Sequence, residues 1–435
     1  MRSSLLNFLF FTFIAAVAAV NERVLAIFDH EHADYESLLD SLRERDFDVT
    51  VKDVKAPDSS LFEFGERKYD DLLLFSARNK GLGASFSPKA LIEFVEDGGN
   101  ILLAAGTNVP EGLREFGRQL GIFVAERGNA LVDHFASVGS EDHQLVALDE
   151  FSSSKYIVSD ETRNAGAVLY KGSGHALGEN PLVEPVLRAK TTSYLYNQKS
   201  ESESSAHPWA AGSQLFVVSS LQTLNGSRVA FSSSLDIFKN EYLSPSSESY
   251  NAANALFARD LTNWVFQRSG RLVLENMTYG LISESVEERN GPVYRIKDEM
   301  EFTADMSVYE NGVRKPYIAS DVQMELVMLD PYYRLNFEPV ESDLKDAQRY
   351  SVKLVAPDHY GVFSYKVRYS RPGLTNIDEK QTFTLRQFHH NEYPRFLPHA
   401  YPYYTSAFIV FVGFVMFAGA WLFFKPAAPS VKKQQ

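Results

Sequence analysis

The run Ser406 to Phe424 (SAFIVFVGFVMFAGAWLFF) is uncharged and apolar, and only Lys425 to Gln435 follow it. A bilayer core of about 30 Å is spanned by roughly 20 such residues, and in lipid every backbone polar group must be satisfied within the segment. The spacing therefore predicts one transmembrane helix over 406–424 and a tail over 425–435. Lys432 and Lys433 occupy the fourth and third positions from the end. A dilysine pair at that place on a cytosolic tail has the form of an endoplasmic reticulum (ER) retrieval address, which is read by a receptor and is not an anchor. At the other end, Met1-Arg2, an apolar stretch from Leu5 and the small residues Ala15 to Ala19 have the layout of a signal peptide over 1–20. Together these signals put the body in the lumen and the tail in the cytosol, a single-pass type I arrangement. Lys425, Lys432 and Lys433 on the tail side, and Tyr401, Tyr403 and Tyr404 on the luminal side, fit the positive-inside rule and an interfacial aromatic belt.

The chain has no cysteine. In an oxidising compartment that excludes a disulfide framework, thiolate catalysis and cysteine metal sites. An apolar fraction of 45% is ordinary for a globular chain, so the core needs no such supplement. The net charge of −13 argues against nucleic acid and anionic lipid surfaces as partners.

From Val24 the pattern alternates strand and helix. Val24 to Phe28, Phe47 to Val51, Leu72 to Phe75 and Ile101 to Ala105 read as strands, the last two continuous as buried parallel strands are. Tyr35, Leu38, Leu39 and Leu42 recur at helical spacing. Ser87-Pro88 opens a helix with Leu91, Ile92 and Val95 inward, and Gly98-Gly99 closes it. Leu113, Phe116 and Leu120 mark another. Two further strands, Leu215 to Ser219 and Arg228 to Ser232, and a helix over about 252–266 with Leu256, Leu261 and Val265 inward return to this layer. Between about Val132 and Tyr196 lies a β-rich insert. The expectation is an α/β doubly wound parallel-sheet domain over 21–268. From Arg271 the period becomes two: Val322, Met324 and Leu326, then Tyr350, Val352 and Leu354, then Phe363, Tyr365, Val367 and Tyr369, then Phe383 and Leu385. That predicts an all-β antiparallel sandwich over 269–395, followed by a proline-broken aromatic segment over 396–405.

Several motifs invite chemistry. Asp29-His30-Glu31-His32 follows the first strand, where open α/β sheets bind ligands, and could hold a metal in a luminal hydrolase together with His134. Residues so close in sequence converge only if the loop curls tightly, so a solvated loop is the simpler reading. Asp46-Phe47-Asp48 has the Asp-x-Asp form of sugar-nucleotide transferases but sits at the amino end of its strand. Gly98-Gly99-Asn100 has the inverted order for a phosphate loop, since a helix ends and a strand begins there. Gly106-Thr107-Asn108 has the right order with one glycine. Ser232-Ser233-Ser234-Leu235-Asp236 lacks a Gly-x-Ser-x-Gly elbow. Asp133-His134 lacks a third member. Asn225-Gly226-Ser227 and Asn276-Met277-Thr278 are N-glycosylation acceptors by pattern, Asn225 in a turn between strands. Gly413 and Gly419 lie among small residues that would let a neighbouring helix approach. No catalytic centre, cofactor site or metal site emerges.

The string Tyr393-Pro394-Arg395-Phe396-Leu397-Pro398-His399-Ala400-Tyr401-Pro402-Tyr403-Tyr404 resembles the membrane approach of the 48-kDa (DDOST-type) subunits of the eukaryotic oligosaccharyltransferase. Asp358-His359-Tyr360-Gly361-Val362-Phe363, Arg228 to Ser232 with Ser234-Leu235-Asp236, Asp97-Gly98-Gly99 and the dilysine end resemble it too, across almost the whole mature chain. The resemblance implies a non-catalytic subunit of the ER complex that moves a preassembled oligosaccharide from dolichyl diphosphate to asparagine. It implies as partners the catalytic subunit, ribophorin-type subunits and small membrane subunits, with glycan or acceptor polypeptide nearby. Asp29 to His32 and Asp46 to Asp48 stand outside that family pattern. The rival readings are a luminal glycan-binding quality-control or cargo receptor and the metal-assisted hydrolase.

Overall fold

The computed structural model describes residues 22–29, 32–54, 59–76, 82–139, 142–197, 208–243, 253–283, 285 and 288–426. The signal-peptide stretch, His30, Glu31, Lys432 and Lys433 lie outside them.

Strands β1 (Arg23–Phe28), β2 (Asp48–Asp53), β3 (Asp71–Ser76) and β4 (Asn100–Ala105) pair in parallel, with β2 and β3 flanking β1 and β4 beside β3. Three later strands, β5 (Val183–Arg188), β6 (Phe216–Gln222) and β7 (Arg228–Ser232), extend the sheet: β7 runs parallel to β4, while β6 runs antiparallel to both β7 and β5. The order is β5-β6-β7-β4-β3-β1-β2, with Glu150–Phe151 beyond β5. Continuous apolar runs make the middle strands. Val24, Ala26, Phe28, Leu73, Phe75, Leu102 and Ala104 face one way and pack with Leu38, Leu39 and Leu42 of helix α1 (Glu36–Arg43). Leu25, Ile27, Leu72, Leu74, Ile101 and Leu103 face the other and pack with α2 (Pro88–Glu96) and α3 (Glu111–Leu120). Helix α4 (Asn254–Val265) returns to the first face through Phe257, Leu261 and Val265, whereas Leu256 is only half-buried.

The sheet is mixed, and the insert is not separate from it. Strand β5 joins the main sheet, and a β-bulge beside Pro185 accommodates the missing N–H. Glu150–Phe151 joins the same sheet beside β5, and His175–Leu177 pairs with Phe216 and with Ile122–Val124; two small ladders stand apart, Asn129–Val132 with Tyr194–Asn197 and Val146–Leu148 with Val168–Tyr170.

Beyond it, two sheets share one core. The first holds β8 (Arg271–Leu281), β10 (Glu299–Glu310) and β13 (Gln348–Val355). The second holds β9 (Val293–Arg295), β11 (Gln323–Val327), β12 (Pro331–Asn336), β14 (Gly361–Tyr369) and β15 (Ile377–Arg386). Met300, Phe302 and Met306 of one meet Met324, Phe363, Tyr365, Val367 and Phe383 of the other. The period-two residues Met324, Leu326, Phe363, Tyr365, Val367, Phe383 and Leu385 are all buried. One pair departs from the antiparallel expectation: β9 runs parallel to β15. A short strand that arrives by a crossover takes whichever direction its approach dictates.

Helix α5 (Tyr401–Leu422) begins five residues before the apolar run and ends two before its last residue. Pro402 permits the early start, because the first turn of a helix has no acceptor for its N–H groups. It is the one helix among the described residues long and apolar enough to cross a membrane, and none of its apolar window is buried.

Candidate functional site: the joint and the membrane approach

The loops that sequence offered for chemistry are taken up by structure. Asp29 accepts a hydrogen bond from Ser76 Oγ at 3.0 Å where β1 and β3 end, and His32 lies with its ring 6.2 Å from that of Phe28. Among the described residues no three His, Asp or Glu side chains gather as metal ligands. Asp46 takes a positive φ of 65° in the turn before β2, with Phe47 buried between the two acids. Gly98 caps α2 at φ 98°, and a Cβ on Gly99 would run into the Phe94 ring. Gly106 lies past β4 at the carboxyl end, its N–H on the Ser76 carbonyl. Asp133 is buried and accepts from the Phe135 and Ala136 N–H groups and from the Thr192 and Ser193 hydroxyls. Burial pushes its carboxyl up, but these four bonds outweigh that and hold it below the usual range. His134 points elsewhere, to the Tyr194 hydroxyl at 3.0 Å.

The serine run hides a contact that the sequence reading missed. His175 is fully buried, with Nδ1 2.7 Å from Ser233 Oγ and Nε2 2.6 Å from Ser219 Oγ. Burial pushes its imidazole down to about 3, so at neutral pH it is uncharged and bridges two hydroxyls. A histidine with both nitrogens engaged and no solvent access is a cross-link between strands, not a base. The His175 side chain had no sequence signal, since nothing within a few residues announces its serines.

A buried polar assembly lies where the two regions meet. Arg228, the first residue of β7, is fully buried. Its Nη1 donates to the Trp264 and Ser269 carbonyls at 2.7 and 2.6 Å. Nη2 donates to the Gly270 carbonyl at 2.7 Å and to Thr375 Oγ1 at 3.3 Å, and Nε donates to Gln222 Oε1 at 3.1 Å. Every guanidinium N–H thus has an acceptor. None is a carboxylate. The charge rests on carbonyl dipoles at the C-terminal end of α4, where the helix dipole is negative, and on the Trp264 ring, 4.7 Å from the guanidinium carbon. Burial, with Arg271 adding to it, lowers its pKa to about 9, which leaves it charged at neutral pH.

Around this arginine the loop 370–376, between β14 and β15, plugs into the α/β region. Trp264 Nε1 donates to the Gly373 carbonyl at 2.9 Å and Gln222 Nε2 to the Leu374 carbonyl at 2.8 Å. Ser154 Oγ donates to the Pro372 carbonyl at 3.3 Å. Gly270 (φ 70°) and Gly373 (φ 77°) cross here with no room for a side chain, since a Cβ on Gly270 would strike the Gly373 carbonyl oxygen. A groove of about 610 Å³ opens beside the plug, with Glu184, Arg188, Arg371 and Asn376 on its walls.

At the far end of β15 the chain turns toward the helix. Arg386 forms a fork-to-fork pair with Glu392, 2.7 and 2.9 Å, and the His389 N–H donates to the same carboxylate at 2.8 Å. The Arg386 bonds hold the Glu392 carboxyl down at about 2. Arg295 stacks over Phe388, whose ring packs against Tyr393. Tyr401, Tyr403 and Tyr404 then stand exposed on the first turn of α5.

The OST48 N-terminal domain matches residues 15–268, and the OST48 middle domain matches residues 282–425. The chain belongs to the OST48 family. It is 56% identical over the full length of both chains to dolichyl-diphosphooligosaccharide–protein glycosyltransferase subunit wbp1 of Schizosaccharomyces pombe. The 48 kDa subunit of the same name from Caenorhabditis elegans is 33% identical, over 89% of this chain and 87% of its own. That from Arabidopsis thaliana is 31% identical, over 93% of each. In this OST48 chain the two matched segments meet at the Arg228 joint, with the whole of β8 between them. The Asp358-His359-Tyr360 string lies exposed at an end of the second sheet, His359 Nδ1 being 3.0 Å from Asp358 Oδ1 and 3.1 Å from the Tyr332 hydroxyl.

Proposed function

We propose that this chain is a non-catalytic, once-spanning subunit of the oligosaccharyltransferase complex, which carries out N-linked glycosylation. Its body, an α/β domain over 21–268 and a sandwich over 269–395, faces the ER lumen, and its tail, with Lys432 and Lys433 as the retrieval pair, faces the cytosol. We read the parallel strands as doubly wound, since helices cover both faces. The partners are the catalytic subunit, ribophorin-type subunits and small membrane subunits. The observation that carries the reading is the way the polar side chains are used: Arg228, His175 and Asp133 each have their hydrogen-bonding capacity taken up inside the fold. Holding acceptor or glycan near another chain's active centre is a positional contribution.

Gentle detergent extraction is expected to recover the chain in a fixed stoichiometric set, and its depletion to leave asparagine sites on secreted proteins under-occupied. Recovery alone or with changing clients, together with normal occupancy, would point to the receptor reading.

Helix α5 is apolar on every side, so its packing in the membrane depends on close approach and not on a polar seam. Gly413 and Gly419 have open space around them and are the places where a sister helix can come nearest. Gly413→Leu is expected to cut co-purification of the small membrane subunits several-fold while leaving the luminal body's melting unchanged. Undiminished recovery would place the helix contact on another face.

A further inference from the structure

We propose that this chain is itself glycosylated, at Asn276 and not at Asn225. The proposal rests on the luminal placement of the body given above. N-glycosylation breaks one Nδ2–H bond of the asparagine amide and the C1–O bond of the lipid-linked sugar. It forms N–C1, the proton passing to base and the dolichyl diphosphate leaving with the bonding pair. The product amide keeps a single hydrogen. A folded asparagine can therefore carry a glycan only where it donates no more than one hydrogen bond.

Asn225 fails that test although its turn is exposed. Its Nδ2 donates to the Glu96 carbonyl at 2.8 Å and to the Val95 carbonyl at 3.3 Å. These are among the last carbonyls of α2, which have no partner within the helix. Its Oδ1 accepts from the Ser227 N–H at 3.3 Å and from the Thr223 hydroxyl. The Ser227 hydroxyl is buried and donates to the Val95 carbonyl at 2.7 Å. The turn also takes Gln267 Nε2 on the Gly226 carbonyl at 2.8 Å, next to the joint. A sugar on Asn225 would uncap α2 and push this turn off its seat.

Asn276 passes. It sits on a bulge in β8, an edge strand that among the described residues pairs only with β10. Its φ of 50° lies in the left-handed region that asparagine tolerates, and the residue is exposed. Its amide donates once, to Asp305 Oδ2 at 3.0 Å, and has no second partner among the described residues. Asp305 is held in addition by a fork from Arg349, so its position does not depend on the Asn276 amide. A glycan here projects from an open sheet edge, and it reserves that edge for solvent, which sends partner subunits to other faces.

The test uses the full chain in its own membrane, read by endoglycosidase mobility shift and glycopeptide mass spectrometry. The expected result is a one-glycan shift in the wild type that is lost in Asn276→Gln and in Thr278→Val and kept in Asn225→Gln. A shift that persists in Asn276→Gln, or that disappears in Asn225→Gln, overturns the proposal. A control chain carries Ser342→Asn with Leu344→Thr in an exposed loop. If only that control is modified, the Asn276 proposal falls and the luminal reading stands; if neither chain is modified, both fall.

Discussion

Replacing Arg228 with methionine is expected to lower the stability of the protein by about 2–6 kcal/mol, the cost of leaving two buried acceptors without a donor. Methionine fills much of the volume but donates nothing. The carbonyls of Trp264, Ser269 and Gly270 and the Gln222 amide oxygen would lose a donor in a place water does not reach. The Gly270 carbonyl keeps the Thr375 N–H and the Trp264 carbonyl keeps the Gln267 N–H, so the loss falls on the Ser269 carbonyl and the Gln222 oxygen, at about 1–3 kcal/mol each. Arg228→Lys keeps the charge yet has three N–H groups in place of five, so it should recover only part of the loss. Thermal melting of the detergent-solubilised full chain, followed by tryptophan fluorescence because Trp264 lies against the guanidinium, gives the order wild type, lysine, methionine. A methionine variant within about 1 kcal/mol of the wild type would show that the joint is held by the loop plug alone.

The second large effect is a dependence on acid. His175 has its pKa pushed down to about 3 by burial, against 6.5 in the unfolded chain. The folded pKa is the lower one, so between these values the unfolded state binds the extra proton and stability falls as pH falls. Above pH 6.5 the histidine has no effect on the pH slope. Below it the loss approaches about 1.4 kcal/mol per pH unit and reaches about 4 kcal/mol before the folded imidazole itself titrates. His175→Gln removes the titrating group. The variant should be less stable at pH 7.5, since glutamine cannot reproduce both hydroxyl contacts, and its stability should be nearly flat from pH 6.5 to pH 5. Denaturant midpoints at four or five pH values decide it: parallel slopes for variant and wild type would mean that the acid sensitivity comes from elsewhere.

The central strands were legible because a parallel strand buried on both faces must be apolar throughout, and Leu72 to Phe75 and Ile101 to Ala105 satisfy that without help from neighbours. The sandwich strands were legible for a related reason, one wet face and one dry face forcing the alternation seen from Phe363 to Tyr369. Strand β5 was not. Its sequence, Val-Glu-Pro-Val-Leu-Arg, shows neither pattern, and its partner β6 lies some way down the chain, so only the fold tells which sheet it joins. The joint was hidden more thoroughly. Arg228 was noticed as part of a family string, but an arginine before an apolar run looks like any exposed strand end until its acceptors come from Gln222, Trp264, Ser269, Gly270 and Thr375 at once. Arg371-Pro372-Gly373 has the composition of a turn, and composition does not say what a turn plugs into. The helix boundaries near the membrane moved because proline in a first turn is compatible with helix, whereas the sequence reading treated Pro402 as a break.

Strand β15 links two things described separately. It starts next to the loop seated under Trp264 and ends at Arg386, whose partner Glu392 clamps the approach to the bilayer. At about 3.3 Å per residue, its ten residues act as a ruler of roughly 33 Å. That length sets the distance between the loop under Trp264 and the Arg386–Glu392 pair that precedes helix α5. Shortening the strand by a pair of residues, which keeps the inward faces inward, would draw the joint and that pair together by one pleat. The whole first region would shift against helix α5 as one piece, because the plug at the strand's other end ties it to β15.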